Sequence, residues 1–232
     1  RNGARIPART ATGWSDWQYY REEKTEADVL RALPALAQLC DEGCPLRYVV
    51  IDGGYCPHAS EWLEPGDDFP SGMAALSRRV RDAGFDFGVW LAPWITNVET
   101  RVAREHPEWM VRERETGEIL RKPSSNVGPC CMIDFSIPEA CEWLRGIVRT
   151  MKRDWKIGYL KLDGPCLAHW RGGAFRDPEA TTVSLTRQTL KVIREECGDG
   201  VIVEGEGVYL PSVGYVDVQR TTQDNWPTWY NP

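Results

Sequence analysis

Four acidic positions stand where they could act together: Asp52, Asp163, Glu204 or Glu206, and Asp224. Most of them close an apolar run of strand length, and Asp52, Asp163 and Glu204 are each followed by glycine. Two carboxylates facing each other across a sugar can cleave a glycosidic bond. In the retaining form of that reaction they sit about 5 Å apart, one as nucleophile, the other as acid and then base. Asp163 suits the first role. Lys161 lies two residues before it, on the same face of an extended strand, and a cation there favours the ionised carboxylate. Read alone, Asp163 is equally a strand-end acid capping the turn before Gly164. Asp224 follows Arg220 by four residues and precedes Trp226. The second role needs a group that changes protonation state, but by itself Asp224 is also an ordinary loop acid.

The elements that must position these acids alternate. Short apolar runs at residues 12–17, 47–53 (RYVVIDG), 85–93 (FDFGVWLAP), 159–164 (YLKLDG), 201–205 (VIVEG) and 216–221 read as strands. The run at 47–53 is continuous and β-branched, which suits a buried parallel sheet. Helical spacing occupies residues 25–39, 72–83, 138–155 and 181–196, with a short helix expected over 106–114. Pro138 stands at a helix start, where its missing N–H costs least. The apolar run at 132–135 is not assigned to the main sheet. Such alternation predicts parallel βαβ units. Polar or acidic strand ends followed by Gly or Pro suit the C-terminal rim of a (β/α)8 TIM barrel, where active sites form. Six barrel strands are counted before Pro232 and a closed barrel needs eight. The expectation is therefore one α/β catalytic barrel domain over residues 1–232, truncated after about six β/α units.

Composition removes other classes. The 232 residues carry a net charge of −6 and no basic run, which disfavours a nucleic-acid partner. No apolar run reaches the roughly 20 residues of a membrane helix, and no N-terminal segment reads as a secretory signal. No GxGxxG or Walker-type loop occurs, so no nucleotide cofactor is expected. The eight Cys and three His lack paired metal-ligand spacing, so the expectation is free buried thiols and no metal. The compartment stays open, with the cytoplasm favoured, and so does self-association. Eleven Trp are many for this length and suit stacking on sugar C–H faces.

Several motifs resemble the melibiase-type α-galactosidases, and the similarity runs along nearly the whole chain. GWSDW at 13–17 resembles that family's GWxSW opening, and YVVIDGGY at 48–55 its IDDGW strand. FPSGM at 69–73, with the segment 84–93, resembles another of its units, as EHPEW does at 105–109. YLKLD at 159–163 resembles the strand carrying the family's nucleophile. Arg220 to Asp224 with Trp226 resembles the segment supplying its acid/base. The resemblance implies a (β/α)8 barrel, a glycoside or oligosaccharide substrate with terminal α-linked galactose or a related sugar, and double displacement through a covalent glycosyl-enzyme. It implies Asp163 as nucleophile and Asp224 as acid/base. It places Asp52, Lys161, Arg220, Trp17 and Trp90 around the sugar. Two other outcomes are compatible with the motifs: a transglycosylase like the raffinose synthases, and a carbohydrate-binding barrel without catalysis.

Three positions depart from the family pattern. Gly53 stands where a second Asp is usual. Glu206, between two glycines, stands where a small neutral side chain is common, and is expected to substitute for the lost acid. Ser60-Glu61-Trp62 stands for GDW. These departures concern sugar recognition, whereas both catalytic acids are kept.

Overall fold

The computed structural model describes residues 3–122, 129–164, 172–206, 210–221 and 224. Cys166, His169 and Trp226 lie outside them. The chain begins with β1 (Gly13–Ser15), α1 (Trp17–Tyr20), α2 (Glu26–Asp41), β2 (Tyr48–Ile51), α3 (Met73–Asp82) and β3 (Asp86–Leu91). The strand expected over 12–17 is therefore shorter, and its last residue, Trp17, opens a helical turn.

An excursion of short elements follows: β4 (Ile95–Asn97), α4 (Arg101–Glu105), β5 (Arg112–Glu113), β6 (Arg121–Lys122) and β7 (Cys130–Met132). The helix expected over 106–114 does not form. Pro107 disfavours helical backbone at His106, so α4 ends before it and residues 107–109 make one 3-10 turn. β4, β7 and β6 pair antiparallel in a small separate sheet. The apolar run at 132–135 thus stays outside the main sheet.

The chain continues with α5 (Pro138–Arg153), β8 (Tyr159–Leu162), β9 (Gly173–Ala174), α6 (Thr182–Cys197), β10 (Ile202–Glu206) and β11 (Val218–Arg220). The main sheet runs β1-β2-β3-β8-β10-β11, with every neighbouring pair parallel. Strand order follows chain order with no reversal. A doubly wound sheet reverses its order at the ligand site, whereas this sheet winds one way, as barrel strands do. β8 is its fourth strand and β11 its sixth.

Each long helix buries one stripe at helical spacing: Val29, Leu33 and Leu36 in α2, Met73, Leu76 and Val80 in α3, Leu144, Ile147 and Met151 in α5. These join Val49, Ile51, Phe87, Val89, Leu160 and Leu162 in one core between helices and sheet. Alternate strand residues Tyr48, Val50 and Tyr159 form a second cluster on the other face. Gly88 is needed there, because a Cβ would meet that of Tyr159 at 2.8 Å. Helix ends are set locally. Thr25 and Asp28 form a capping box for α2, Thr181 and Ser184 one for α6. The seven described cysteines are free, and four of them are buried. Cys44 is exposed, against the expectation of burial, because α2 stops at Asp41 and leaves it in the following turn.

Candidate active site

Parallel pairing brings one end of each strand to the same rim. Asp52 follows β2, Trp90 lies near the end of β3, Lys161 lies in β8 and Asp163 follows it, Glu206 ends β10 and Arg220 ends β11. Register aligns them: Trp90 pairs with Lys161, and Glu206 with Arg220. A cavity of about 330 Å³ opens among them, lined by Asp163, Asp224, Asp52, Lys161, Glu206 and the indoles of Trp17 and Trp90. Arg220, the remaining candidate, reaches both Glu206 and Asp224.

Each candidate catalytic acid is held by an indole. Trp90 Nε1 donates to Asp163 Oδ2 at 3.0 Å, and Trp17 Nε1 donates to Asp224 Oδ2 at 2.8 Å. The second bond joins the segment after the first strand of the sheet to that after the last. Arg220 adds a 2.6 Å bond to Asp224 Oδ1, and Arg21 lies 3.5 Å from Oδ2. Asp163 also accepts from the Gly164 amide at 2.5 Å, while its own amide donates to the Leu91 carbonyl.

Asp52 and Lys161 form the floor. Lys161 Nζ donates to Asp52 Oδ2 at 2.8 Å and lies 3.3 Å from Glu206 Oε2. Glu206 Oε1 pairs with Arg220. An unbroken line of alternating charge thus runs Asp52, Lys161, Glu206, Arg220, Asp224. Behind it, the buried Asp16 accepts from the Asp52 amide at 3.0 Å and faces Lys24 at 3.6 Å.

The environments push these groups apart. Burial raises Asp163 above the ordinary carboxylate value, aided by the Asp52 charge and opposed by Lys161 and the Trp90 hydrogen bond. Burial and the Asp163 charge push Glu206 up to about 7, against Lys161 and Arg220. Burial acts in the same direction on Asp224, but the Trp17 and Arg220 hydrogen bonds outweigh it and hold Asp224 below the ordinary value. Burial alone would lower Lys161, but Asp52 and Glu206 raise it, so the ammonium stays charged.

Gly53 lines the cavity beside Trp90, and a Cβ there would touch the indole at 3.4 Å. Glu206 lines the same cavity as Gly53, with its carboxylate paired to Lys161 and Arg220. Ser60 has φ +85°, a conformation that suits the glycine of the family pattern. Its hydroxyl bonds to Thr96 at 2.6 Å and Thr100 at 3.1 Å. Sequence reasoning missed Arg21, Glu22 and His58, the first reaching Asp224 and the others lining the cavity. Arg21 and Glu22 lie in a single 3-10 turn and His58 in a loop, too short or irregular for periodicity to mark them. Trp62, noted only within its motif, packs edge-on against Trp90 with ring centroids 5.4 Å apart.

A sequence model of the Melibiase family matches residues 46–194, which include Asp52, Trp90, Lys161 and Asp163. The chain belongs to the melibiase family. Among solved structures, this chain resembles an α-galactosidase from Thermus thermophilus in complex with p-nitrophenyl α-D-galactopyranoside. The TM-score is 0.83 at 28% identity, over 99% of this chain and 45% of that one. An α-galactosidase of Geobacillus stearothermophilus is 22% identical over 201 residues, 78% of this chain. A myogenesis-regulating glycosidase of Mus musculus is 26% identical over 161 residues, 69% of it. The chain spans only 26% and 22% of the length of these two relatives.

Proposed function

We propose that this chain carries the catalytic centre of a retaining glycoside hydrolase acting on terminal α-linked galactose or a closely related sugar. One observation carries the reading: Asp163 and Asp224 face one cavity, each fixed by the indole N–H of a tryptophan that also lines it. A sugar ring needs acids on two sides and apolar faces for its C–H groups, and this cavity offers both. The one-way parallel winding supports a (β/α)8 barrel of which these are six strands, with residues 1–232 within a single catalytic domain.

In the proposed reaction an Asp163 oxygen bonds to the anomeric carbon as the glycosidic C–O bond breaks. Asp224 gives its proton to the leaving oxygen. Water then attacks the same carbon, Asp224 takes the water's proton, and the Asp163 ester bond breaks. Asp52 and Lys161 offer an acceptor and a donor to the sugar hydroxyls. As arranged, Asp224 is the more acidic of the pair, which is the reverse of what the first step needs. A sugar that takes over the hydrogen bond from Trp17 would remove one group holding Asp224 down.

The test is nitrophenol release from a panel of aryl glycosides by the protein carrying this chain, beside its Asp163→Asn variant. Cleavage of the α-galactoside, with a loss of roughly a thousandfold or more in the variant, supports the reading. Cleavage of another sugar keeps the mechanism and assigns specificity to Gly53 and Glu206. Absence of cleavage across the panel by folded protein overturns it.

A further inference from the structure

One buried cation takes no part in the proposed chemistry. Lys24 has no accessible surface, and a buried ammonium is costly unless it is well hydrogen-bonded. Its Nζ donates to the Arg21 carbonyl at 2.6 Å and to the Gly53 carbonyl. It also lies 3.6 Å from Asp16 Oδ1, the oxygen that accepts from the Asp52 amide. Two cations lie against the Trp17 ring, the Lys24 ammonium 5.5 Å from its centroid and the Arg21 guanidinium 5.1 Å. Arg21 closes α1 with φ +54°, a backbone conformation that is strained for a residue with a Cβ and persists only where the surroundings fix it. Its amide donates to the Trp17 carbonyl, and its own carbonyl is the one that Lys24 binds. So held, its guanidinium lies 3.5 Å from Asp224. Across the join, Gly54 has φ +104° and no room for a side chain, since a Cβ would come within 2.9 Å of the Glu22 Cα. The segments 16–24 and 52–54 are thus packed backbone to backbone, with Lys24 bonded to both.

We propose that Lys24 is a positioning residue for the acid/base. By tying the segment after β1 to the end of β2, it holds Trp17 and Arg21 in place against Asp224. It acts through those two side chains and not on either acid directly. Trp17 Nε1 reaches Asp224 Oδ2 at 2.8 Å only while the short helix that carries it stays seated, and that helix is four residues long, with no buried residue of its own to anchor it. The bond to the Arg21 carbonyl supplies the anchor at its C-terminal end. This task is separate from that of Lys161, which meets Asp52 and Glu206 at the floor. The inference rests on the hydrolase reading, in which Asp224 protonates the leaving oxygen.

The test separates placement of the proton donor from general loss of structure. A glycoside with an acidic aglycone departs with little help from a proton, whereas an alkyl glycoside needs one. In Lys24→Met, kcat/KM for methyl α-galactoside should fall about a hundredfold, the size of a misplacement of about 1 Å. For dinitrophenyl α-galactoside the fall should stay below about tenfold. A merely structural role would lower both alike. Gly54→Ala prises the same two segments apart without removing a buried charge, and should show the same split between the two glycosides. Without turnover, the Trp17 indole Nε1–H resonance should move in both variants, and by more than that of Trp90, which is bonded to Asp163. Equal losses on the two glycosides in either variant overturn the proposal, and so does an unmoved Trp17 resonance. Failure of the hydrolase reading would show separately, as absence of cleavage by the wild type with the Trp17 shift intact in the variants.

Discussion

Replacing Lys161 with methionine tests whether the floor of the site behaves as a buried ionic cluster. The ammonium lies 2.8 Å from Asp52 and 3.3 Å from Glu206, with 10% of its side chain accessible. Methionine keeps most of the apolar stem, so the packing change is small. Removing one partner of a buried pair leaves a charge uncompensated and costs about 3–5 kcal/mol. The lower end applies here, because Asp52 keeps the Gly53 amide at 2.8 Å and Glu206 keeps Arg220. The expected loss is therefore about 3 kcal/mol at pH 7.5. At pH 5 Glu206, pushed up to about 7, is protonated, and one of the two orphaned charges is gone. Lys161 holds Glu206 down, so without it Glu206 binds its proton more tightly still; both proteins gain stability as pH falls through about 7, and the variant gains more. The loss should therefore be smaller at pH 5 than at pH 7.5. Lys161 itself, raised by its partners, stays charged throughout this window and adds no slope. Urea unfolding of wild type and variant at both pH values measures the difference. A loss below about 1 kcal/mol at pH 7.5, or the same loss at both, would refute the cluster as the source of stability.

Three shorter predictions follow from the same physics. Burial pushes Asp16 up to about 7, so the folded chain holds a proton that the unfolded chain releases near pH 4. Its contribution is fully present below the unfolded value and is lost as pH rises through about 7, so Asp16→Asn should flatten the fall in urea-unfolding free energy between pH 4 and 8. Trp90→Phe removes a donor that holds Asp163 down, so the acidic limb of the kcat/KM profile should move to higher pH, while the same change at Trp17 should move the limb belonging to Asp224 upward. Lys156 is exposed with φ +55°, and Lys156→Gly should raise the thermal midpoint, by about 0.5–1 kcal/mol of stability at most, because relief of left-handed strain exceeds the added backbone entropy.

All six main strands and all the long helices are visible in the chain as apolar runs and helical spacing, because burial on one or both faces leaves its own pattern. The strand Tyr48–Ile51 is apolar throughout and Tyr159–Leu162 is apolar but for Lys161, and both are buried at every residue. The short elements from 95 to 132 are not legible in the same way. They are two to five residues long, and pairing with distant partners rather than local pattern decides them. The small helix misplaced around Pro107 belongs to this class.

The sequence by itself determined which residues could carry chemistry. Acids at strand ends, a lysine two residues from one of them and tryptophans beside them are matters of residue type and local spacing, and a parallel strand order sends all such ends to one rim. Only the tertiary structure decided how those residues share charge. Lys161 meets Asp52 across 109 positions of sequence, and Trp17 meets Asp224 across 207. Such pairings follow from strand register and from the curl of the sheet, which no local pattern encodes. The same holds for Glu206. Its sequence position marks it only as an unexpected acid, whereas its place between Lys161 and Arg220 makes it the link between the two halves of the site.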